Sequence, residues 1–195
     1  MSYQHIVIDL ETLGAYDQDT VILSFAAVPF RFEDNDSFDS LLKRGFYRKI
    51  NAIEQLKNGR TKEENTVEWW KQQCHEAQAN AFLPAAGDMP LGQVMREFRD
   101  WLKTTDYNMK HSWVWSRGIA FDMPKLESAF HYAGIDNAVN FWMARDIRTY
   151  IDLLTGSERG QYIMEHEPKE FIKHHCLHDC AHDVAIMQEI YRGLQ

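Results

Sequence analysis

The sequence lacks the features that would place it in a membrane or in an oxidising compartment. Its longest apolar run, residues 21–30, is about half of the roughly 20 residues that a membrane-spanning helix needs. The opening residues have no basic start before an apolar run, and Asp9 stands where a signal peptide would be apolar. The 3 cysteines cannot all pair within one chain. We therefore expect a cytoplasmic protein that does not cross a membrane.

Basic residues are in the minority, with 21 Lys and Arg against 29 Asp and Glu, which gives a net charge of -8. Lys and Arg contacts to phosphate supply most non-specific affinity for nucleic acid, so this balance argues against a broad basic binding surface. Two catalytic motifs are also missing, G-x-S-x-G and G-x-x-x-x-G-K-[ST]. The sequence therefore does not support a serine hydrolase or a nucleotide-cradling P-loop enzyme.

The composition that is present fits a single globular domain over residues 1–195. At about 100–200 residues per domain, 195 residues of which 45% are hydrophobic form one unit with a core. Internal repeats and low-complexity tracts do not divide the chain. Residues 156–173 are the least periodic segment and carry two glycines, one proline and several charges. We expect a mobile loop there.

The hydrophobic pattern predicts an α/β protein with a mixed central sheet flanked by helices. Apolar runs indicate strands at 5–10, 21–28, 40–50, 112–116 and 141–144, and helical spacing indicates helices within 51–104, after Phe121 and from about Asp179. Three successive strands suggest an antiparallel meander, and the later strands, which alternate with helices, are expected to be parallel. The predicted element order is β-β-β-α-β-α-β-α.

Two acidic residues, Asp9 and Glu11, end the first predicted strand. Side chains two apart on a strand point to the same face, about 7 Å apart along the chain. Two such acids repel each other unless a cation lies between them, and hard oxygen ligands suit Mg²⁺ or Mn²⁺. The alternative is that both acids lie in solvent beyond the end of the strand.

A third acid, Asp122, follows the strand-like run at 112–116 and opens a predicted helix. It could cap that helix, with Pro124 tolerated in the first turn. Sites in α/β sheets tend to form at the carboxyl ends of strands, where acids from two strands meet. The two roles are compatible.

The histidine-rich segment at 174–183 supplies the last candidates, His178 and Asp183. Five residues on a helix turn by about 140°, so these side chains converge only if His178 lies before or at the helix start. His178 could then accept a proton from water. Two alternatives are a surface turn and a zinc site, since two cysteines and two histidines here are spaced i, i+4. A structural zinc site usually draws ligands from two segments, which argues against zinc.

Taken together, three motifs resemble the DEDDh exonucleases, whose fold is RNase H-like. They are D-x-E-T-x-G from Asp9, A-F-D-x-x-x-L around Asp122, and H-x-x-x-x-D from His178 to Asp183. The resemblance covers residues 5–190. The segments T-V-E-W-W-K-Q-Q-C-H-E-A and R-D-I-R-T are similar to the small branch that contains a phage exonuclease and a short mycobacterial 3′-to-5′ exoribonuclease.

The resemblance implies that four acids, Asp9, Glu11, Asp122 and Asp183, hold two divalent ions, Mg²⁺ or Mn²⁺, with Asp9 between them. It makes His178 the general base, and His182 is a nearby histidine that could be mistaken for it. It places Thr12 and Leu13 beside the terminal nucleotide. The implied activity is 3′-to-5′ hydrolysis of single-stranded DNA or RNA with release of nucleoside 5′-monophosphates. Dimeric relatives also imply a homodimer, and a phage-encoded chain would act in the host cytoplasm.

Aromatic and basic residues near these motifs are candidate substrate contacts. Trp115 and Phe121 flank Asp122 and are expected to line a groove in which bases stack. For the pair Trp69-Trp70, a core or interface role is favoured over stacking because tryptophan is usually well buried. Two arginines beside Asp146, Arg145 and Arg148, either pair with a helix cap or contact phosphate, and both readings stay open.

Three other functions are compatible with parts of the pattern. One is a phosphodiesterase of the same fold that acts on short oligonucleotides or nucleotide-capped RNA ends. The others are a non-enzymatic nucleic-acid-binding module and a zinc protein. Since four of the acids are implied metal ligands, the negative net charge fits an enzyme that binds a strand end through bound cations rather than a long tract of nucleic acid.

Overall fold

The computed structural model describes residues 4–195, so the first three residues of the predicted domain lie outside it. Its centre is a five-stranded sheet with the strand order β3-β2-β1-β4-β5. The strands are β1 (His5–Thr12), β2 (Ile22–Phe30), β3 (Phe46–Lys49), β4 (Val114–Ser116) and β5 (Ala144–Asp146). Strands β3, β2 and β1 pair antiparallel, and β1, β4 and β5 pair parallel. The predicted mixed sheet is confirmed.

Helices cover both faces of this sheet. They are α1 (Phe38–Arg44), α2 (Ala52–Lys57), α3 (Glu64–Lys71), α4 (His75–Ala77), α5 (Leu91–Leu102), α6 (Ile119–Tyr132), α7 (Ile147–Thr155) and α8 (Cys176–Gly193). A π-helical turn follows α4, and a 3-10 turn precedes β5. Within residues 4–195, none of the helices is long and apolar enough to cross a membrane.

The alternation of side chains along β1 decides which residues face which helices. Ile6, Ile8 and Leu10 pack with residues of α5 and α6. Val7 points to the other face and packs with residues of α7 and α8. Because successive side chains alternate, Asp9 shares the face of Val7 and is directed toward α8. The two-sided cover also explains why every residue of β2 is buried.

The segment predicted as the third strand, residues 40–50, begins as a helix. Helix α1 ends at Arg44 and β3 starts at Phe46. Ser37 caps α1, since its hydroxyl oxygen accepts a hydrogen bond from the Ser40 N–H at 3.2 Å. This cap satisfies one of the free N–H groups of the first turn and favours helix over strand. The predicted element order lacked this helix.

Two helix starts also differ from the prediction. Helix α6 begins at Ile119, so Asp122 lies inside the helix and Gly118 is its N-cap residue. Helix α8 begins at Cys176, three residues before Asp179. A glycine cap makes no side-chain hydrogen bond, so the pattern of polar residues favoured Asp122 instead. The capping role considered for Asp122 is therefore wrong.

The predictions for two connecting segments differ in their outcome. The apolar run at 141–144 is mostly a 3-10 turn, and β5 starts only at Ala144. Residues 156–173 contain neither helix nor strand, in agreement with their lack of periodicity. The mobility of this segment and the single-domain organisation of the chain stay predictions.

The parallel pairing of β1 and β4 brings their carboxyl ends to the same edge of the sheet. The acids of β1 lie near this edge, and β4 leads through Arg117 and Gly118 into α6. Helix α8 packs across β1 and β2 on one face. Three separate parts of the chain therefore converge at one edge, where sites in α/β sheets tend to form.

Trp70 anchors the segment that follows β1. Its side chain is 1% exposed, and its Nε1–H donates to the Thr12 carbonyl oxygen at 2.9 Å. It packs in a small cluster with Leu13 and Leu23. The neighbouring Trp69 is 40% exposed. Of the two adjacent tryptophans, Trp70 is therefore the core residue.

We expect Trp70→Ala to lower the free energy of unfolding by about 3–5 kcal/mol, because it leaves a large cavity and an unpaired carbonyl. Trp69→Ala is the matched control and should cost less than about 1 kcal/mol. Urea unfolding followed by circular dichroism measures both. Equal losses in the two variants would contradict this assignment of the core.

Candidate active site

A cavity of about 1000 Å³ opens at the carboxyl edge of β1 and β4. Five carboxylates line it: Asp9 and Glu11 from β1, Asp122 from α6, and Asp179 and Asp183 from α8. The four acids predicted from the sequence are thus brought together, and Asp179 is added to them. A site with this many acids needs compensating positive charge.

The two acids of β1 reach the cavity because they lie on the face of the strand that is directed toward α8. Burial, followed by the charge of Glu11, raises the pKa of Asp9 well above its usual range. Burial and the charge of Asp179 do the same for the pKa of Glu11. Both carboxyls are therefore harder to ionise than exposed acids, and a bound cation would favour their charged forms.

Asp122 enters the cavity from the first turns of α6 and is 4% exposed. Burial raises the pKa of Asp122 to about 7, against the opposing charges of Lys125 and Arg148. Lys125 is itself tied down, since its Nζ donates to the Ala15 carbonyl oxygen at 3.0 Å. This acid therefore sits at the boundary between its charged and neutral forms near pH 7.

Asp179 and Asp183 lie one turn apart on α8 and share the face that lines the cavity. Burial, with the charge of Asp183, raises the pKa of Asp179 to about 7. The Asp183 carboxylate is held by Arg117, whose Nε–H donates to Oδ1 at 2.7 Å and whose Nη2–H donates to the same oxygen. Asp183 is therefore held by an arginine, whereas the neighbouring acid raises the pKa of Asp179 more than its backbone hydrogen bond to His174 lowers it.

A histidine that the sequence reasoning missed, His174, joins these acids. Ligand atoms of Glu11, His174 and Asp179 all lie within 4.8 Å of one another. The pattern H-x-x-x-x-D occurs twice in the segment, from His174 to Asp179 and from His178 to Asp183. The first copy was the signal that could have identified the additional pair.

His178 does not line the cavity in this structure. Helix α8 starts two residues before it, at Cys176, so the geometric condition for its convergence with Asp183 is not met. Its ring centroid is 5.5 Å from that of Phe38, and its Nδ1 accepts from the Ile172 N–H at 3.2 Å. A catalytic role for His178 stays a prediction.

The other members of the histidine-rich segment have separate roles. His182 lines the cavity, its Nε2 lies 2.9 Å from a Glu167 oxygen, and its ring stacks on Phe171. Cys176 and Cys180 are fully buried in the core beneath α8. The two cysteines therefore belong to the packing of α8 against the sheet, and the i, i+4 spacing that suggested zinc reflects this buried face.

The predicted substrate contacts divide into two groups. Thr12, Phe121 and Arg148 line the cavity. The other three, Leu13, Trp115 and Arg145, lie outside it, so the structure does not bring them to this site. Leu13 packs with Trp70, Trp115 lies in the core against Tyr150 and Phe32, and Arg145 donates to the Trp142 and Ala144 carbonyl oxygens. Strand alternation accounts for Trp115, whose bulk fills the core under α7.

Several lining residues carried no recognisable motif. Three are cations, Arg117, Arg159 and Lys173, which join Arg148 around the acids. Another is Trp69, whose ring meets that of His174 edge to face at 4.9 Å. Four cationic side chains therefore surround the five acids, although the chain as a whole is acidic.

The donor set fits a divalent metal centre. Carboxylate oxygens with one imidazole suit Mg²⁺ and Mn²⁺. Burial and the charges of neighbouring acids raise the pKa of four of the acids, so their ionised forms are costly in the protein alone. A bound divalent cation would supply the missing charge, and the residues present therefore fit such a group.

The raised pKa values predict a stability that depends on pH and on metal. An unfolded carboxyl titrates near pH 4, whereas Asp122 and Asp179 titrate at about 7 in the fold. Between these values the folded state binds more protons at these two carboxyls, so their contribution to the free energy of unfolding falls as pH rises from about 4 to 7. Histidines whose pKa is lowered by burial, among them His175 at about 4, contribute in the opposite direction below about pH 6.5.

In EDTA, we expect the melting temperature of the wild type to fall relative to that of Asp122→Asn between pH 5.5 and pH 7.5, and Mn²⁺ to stabilise the wild type mainly at the higher pH. The amide of the variant cannot ionise, whereas the histidines and the other acids titrate in both proteins. Thermal unfolding by calorimetry measures both proteins. A wild type whose melting temperature in EDTA does not fall relative to that of the variant over this range would contradict the account.

Known proteins share both the sequence pattern and the fold. The family model described as the 3′-5′ exoribonuclease Rv2179c-like domain matches residues 4–191. An exodeoxyribonuclease of Enterobacteria phage T4 is 30% identical over 202 residues, which cover 95% of this chain and 88% of the relative.

Solved structures of nucleases have a similar fold at 12–15% identity. They include cell-death related nuclease 4 (TM-score 0.62), the nuclease domain of 3′hExo, a DEDDh family member bound to rAMP (0.60), and the zinc-bound E. coli ExoI–ssDNA complex (0.61). The matches cover 97%, 99% and 100% of this chain, but 64%, 92% and 41% of the other chains. The predicted RNase H-like fold is confirmed.

The expected resemblance to exonucleases is also confirmed, since both the family model and the phage relative are exonucleases, and one structure of similar fold is a named DEDDh family member. The family match covers nearly the whole chain. The chain belongs to the 3′-5′ exoribonuclease Rv2179c-like family of exonucleases.

Proposed function

We propose that this protein is a divalent-metal-dependent 3′-to-5′ exonuclease that acts on the 3′ ends of single-stranded DNA or RNA and releases nucleoside 5′-monophosphates. The observation that carries the proposal is the convergence of five carboxylates in one cavity at the edge of the sheet. Hydrolysis of a phosphodiester concentrates negative charge at the reacting centre, which an acidic site tolerates only with bound cations.

In this proposal Asp9, Glu11, Asp122 and Asp183 hold two ions, Mg²⁺ or Mn²⁺. When bound, the ions stabilise the attacking and leaving oxygens of an in-line displacement at phosphorus. The protein supplies a rigid frame for them, because β1, α6 and α8 are fixed by the core on both faces of the sheet. Asp179 adds a fifth carboxylate beside Glu11 and His174.

The attacking water must also lose a proton, and two histidines are candidates for the base. Burial lowers the pKa of both His174 and His178, so each is a neutral acceptor at pH 7. The family resemblance assigns the base to His178, whereas the geometry brings His174 to the acids. We propose His178 as the base of the substrate-bound enzyme, with its ring turned from Phe38 toward the cavity.

The proposed substrate contacts are side chains that line the cavity. Arg148, Arg159 and Lys173 provide charges for the phosphates of the strand end, and Phe121 and Trp69 offer aromatic surface for bases. Stacking on an aromatic ring is tolerant of sequence, as an exonuclease that moves along a strand requires. The ligands named for the relatives, rAMP and single-stranded DNA, belong to the same chemical class.

We expect Asp9→Asn and Asp183→Asn to remain folded and to lose nearly all nuclease activity, because each removes a metal ligand. Asp39→Asn is the matched control, since Asp39 is a surface residue that pairs with Lys43. The assay follows the shortening of 5′-labelled DNA and RNA oligonucleotides in Mg²⁺ or Mn²⁺, with 3′-blocked strands as the substrate control.

The proposal requires that the blocked strands stay intact and that the free strands shorten one nucleotide at a time. Full activity of either aspartate variant would contradict its assignment as a metal ligand. Cleavage of short oligonucleotides or capped ends alone, with long strands untouched, would reassign the substrate class to the related phosphodiesterase. A homodimer and a cytoplasmic location stay predictions.

The base assignment predicts that His178→Ala slows hydrolysis by about 10²–10⁴-fold, the usual range for loss of a general base. His174→Ala and His182→Ala should cost less. Single-turnover rates at saturating Mn²⁺ separate the chemical step from metal binding. A larger loss in His174→Ala than in His178→Ala would transfer the role to His174.

A further inference from the structure

One arginine, Arg117, joins the acidic site to residues 159–163, which also line the cavity. It lies directly after β4, and three of its N–H groups are used. Two donate to Oδ1 of Asp183, and the third, at Nη1, donates to the Gly160 carbonyl oxygen at 2.8 Å. Its side chain is therefore fixed at both of its contacts.

Two hydrogen bonds and close packing against Arg148 fix the position of Gly160. Its N–H donates to Asp152 Oδ1 at 2.7 Å, and its carbonyl accepts from Arg117. Its φ angle is +69°, and a Cβ atom at this position would lie 2.5 Å from the Arg148 side chain. Only glycine fits this turn without strain, and the carbonyl is thereby presented to the guanidinium.

The pairing with Arg117 is asymmetric at Asp183. Both donors meet Oδ1, so the second carboxylate oxygen, Oδ2, is engaged by neither of them. The Asp183 side chain is 8% exposed, which makes its orientation dependent on this partner. A planar guanidinium holds Oδ1 between two donors of fixed spacing, which a point charge cannot do.

We propose that Arg117 is a positioning residue: it fixes the Asp183 carboxylate so that Oδ2 serves the cation site, and it couples that site to the 159–163 part of the loop through Gly160. The inference rests on the proposed role of Asp183 as a metal ligand. Hydrogen-bond partners of metal-binding carboxylates tune affinity by orienting the ligand, and their loss typically costs 10–100-fold.

A different role for Arg117 would change the metal affinity of the variants in the opposite direction. If it acted only as a counter-ion that excludes metal, its removal would relieve repulsion and would tighten metal binding. Positioning predicts weaker binding. Lysine separates orientation from charge, because it keeps the positive charge but cannot bridge Asp183 and Gly160 with a fork of donors.

The test is titration calorimetry of Mn²⁺ into the full-length protein and its Arg117→Ala and Arg117→Lys variants, without nucleic acid. We expect 10–100-fold weaker binding in Arg117→Ala and a loss in Arg117→Lys that is closer to Arg117→Ala than to the wild type. Arg145→Ala is the matched control, since Arg145 lies outside the cavity, and it should bind as the wild type does.

A second readout is amide hydrogen exchange of residues 159–163. It should be faster in both Arg117 variants than in the wild type and unchanged in Arg145→Ala. If Arg117→Ala does not fold, as judged by circular dichroism, the Arg117→Lys measurements carry the test. Unchanged or tighter Mn²⁺ binding in Arg117→Lys, or unchanged exchange, would overturn the inference.

The two proposals fail separately in these experiments. A wild-type protein that binds Mn²⁺ in an Arg117-dependent manner but leaves oligonucleotides intact would refute the exonuclease proposal alone. A nuclease whose Mn²⁺ affinity does not depend on Arg117 would refute the positioning role alone.

Discussion

The mutual repulsion of carboxylates that are crowded into one buried cavity is the constraint on which the rest of the structure depends. Isolated ionised acids would not stay in such a place, and burial raises the pKa of Asp9, Glu11, Asp122 and Asp179 above their usual values. The protein tolerates the cluster because a core on each face of the sheet fixes the strand and the helices that carry it. The acidic cluster therefore lowers the stability of the fold but creates a site that attracts cations.

The same arrangement reconciles an acidic chain with a nucleic-acid substrate. The overall charge of -8 is repelled by phosphate, but arginine and lysine side chains gather at the cavity wall. Bound divalent ions would invert the local charge at the acids themselves. Attraction is then confined to one cleft, which suits an enzyme that binds the end of a strand.

Much of this could be read from the sequence, and the parts that could not have physical causes. The mixed sheet and the acids of β1 follow from apolar runs and from strand alternation, which are local signals. Whether His178 reaches the cavity depends on where α8 begins. The helix begins at Cys176, which is buried in the core, and not at about Asp179 as predicted. Asp179 belongs to a second H-x-x-x-x-D pattern that the sequence offered, whereas Arg117 could not be singled out by spacing alone, because its role arises from tertiary contacts.

The central claim is that the acidic cavity holds two divalent ions next to the end of a strand. Its most direct test is an anomalous difference map from crystals soaked in Mn²⁺ and a nucleoside 5′-monophosphate. The account predicts two peaks in the cavity among these acids, with the phosphate beside them. A map without Mn²⁺ peaks among Asp9, Glu11, Asp122 and Asp183 would contradict it.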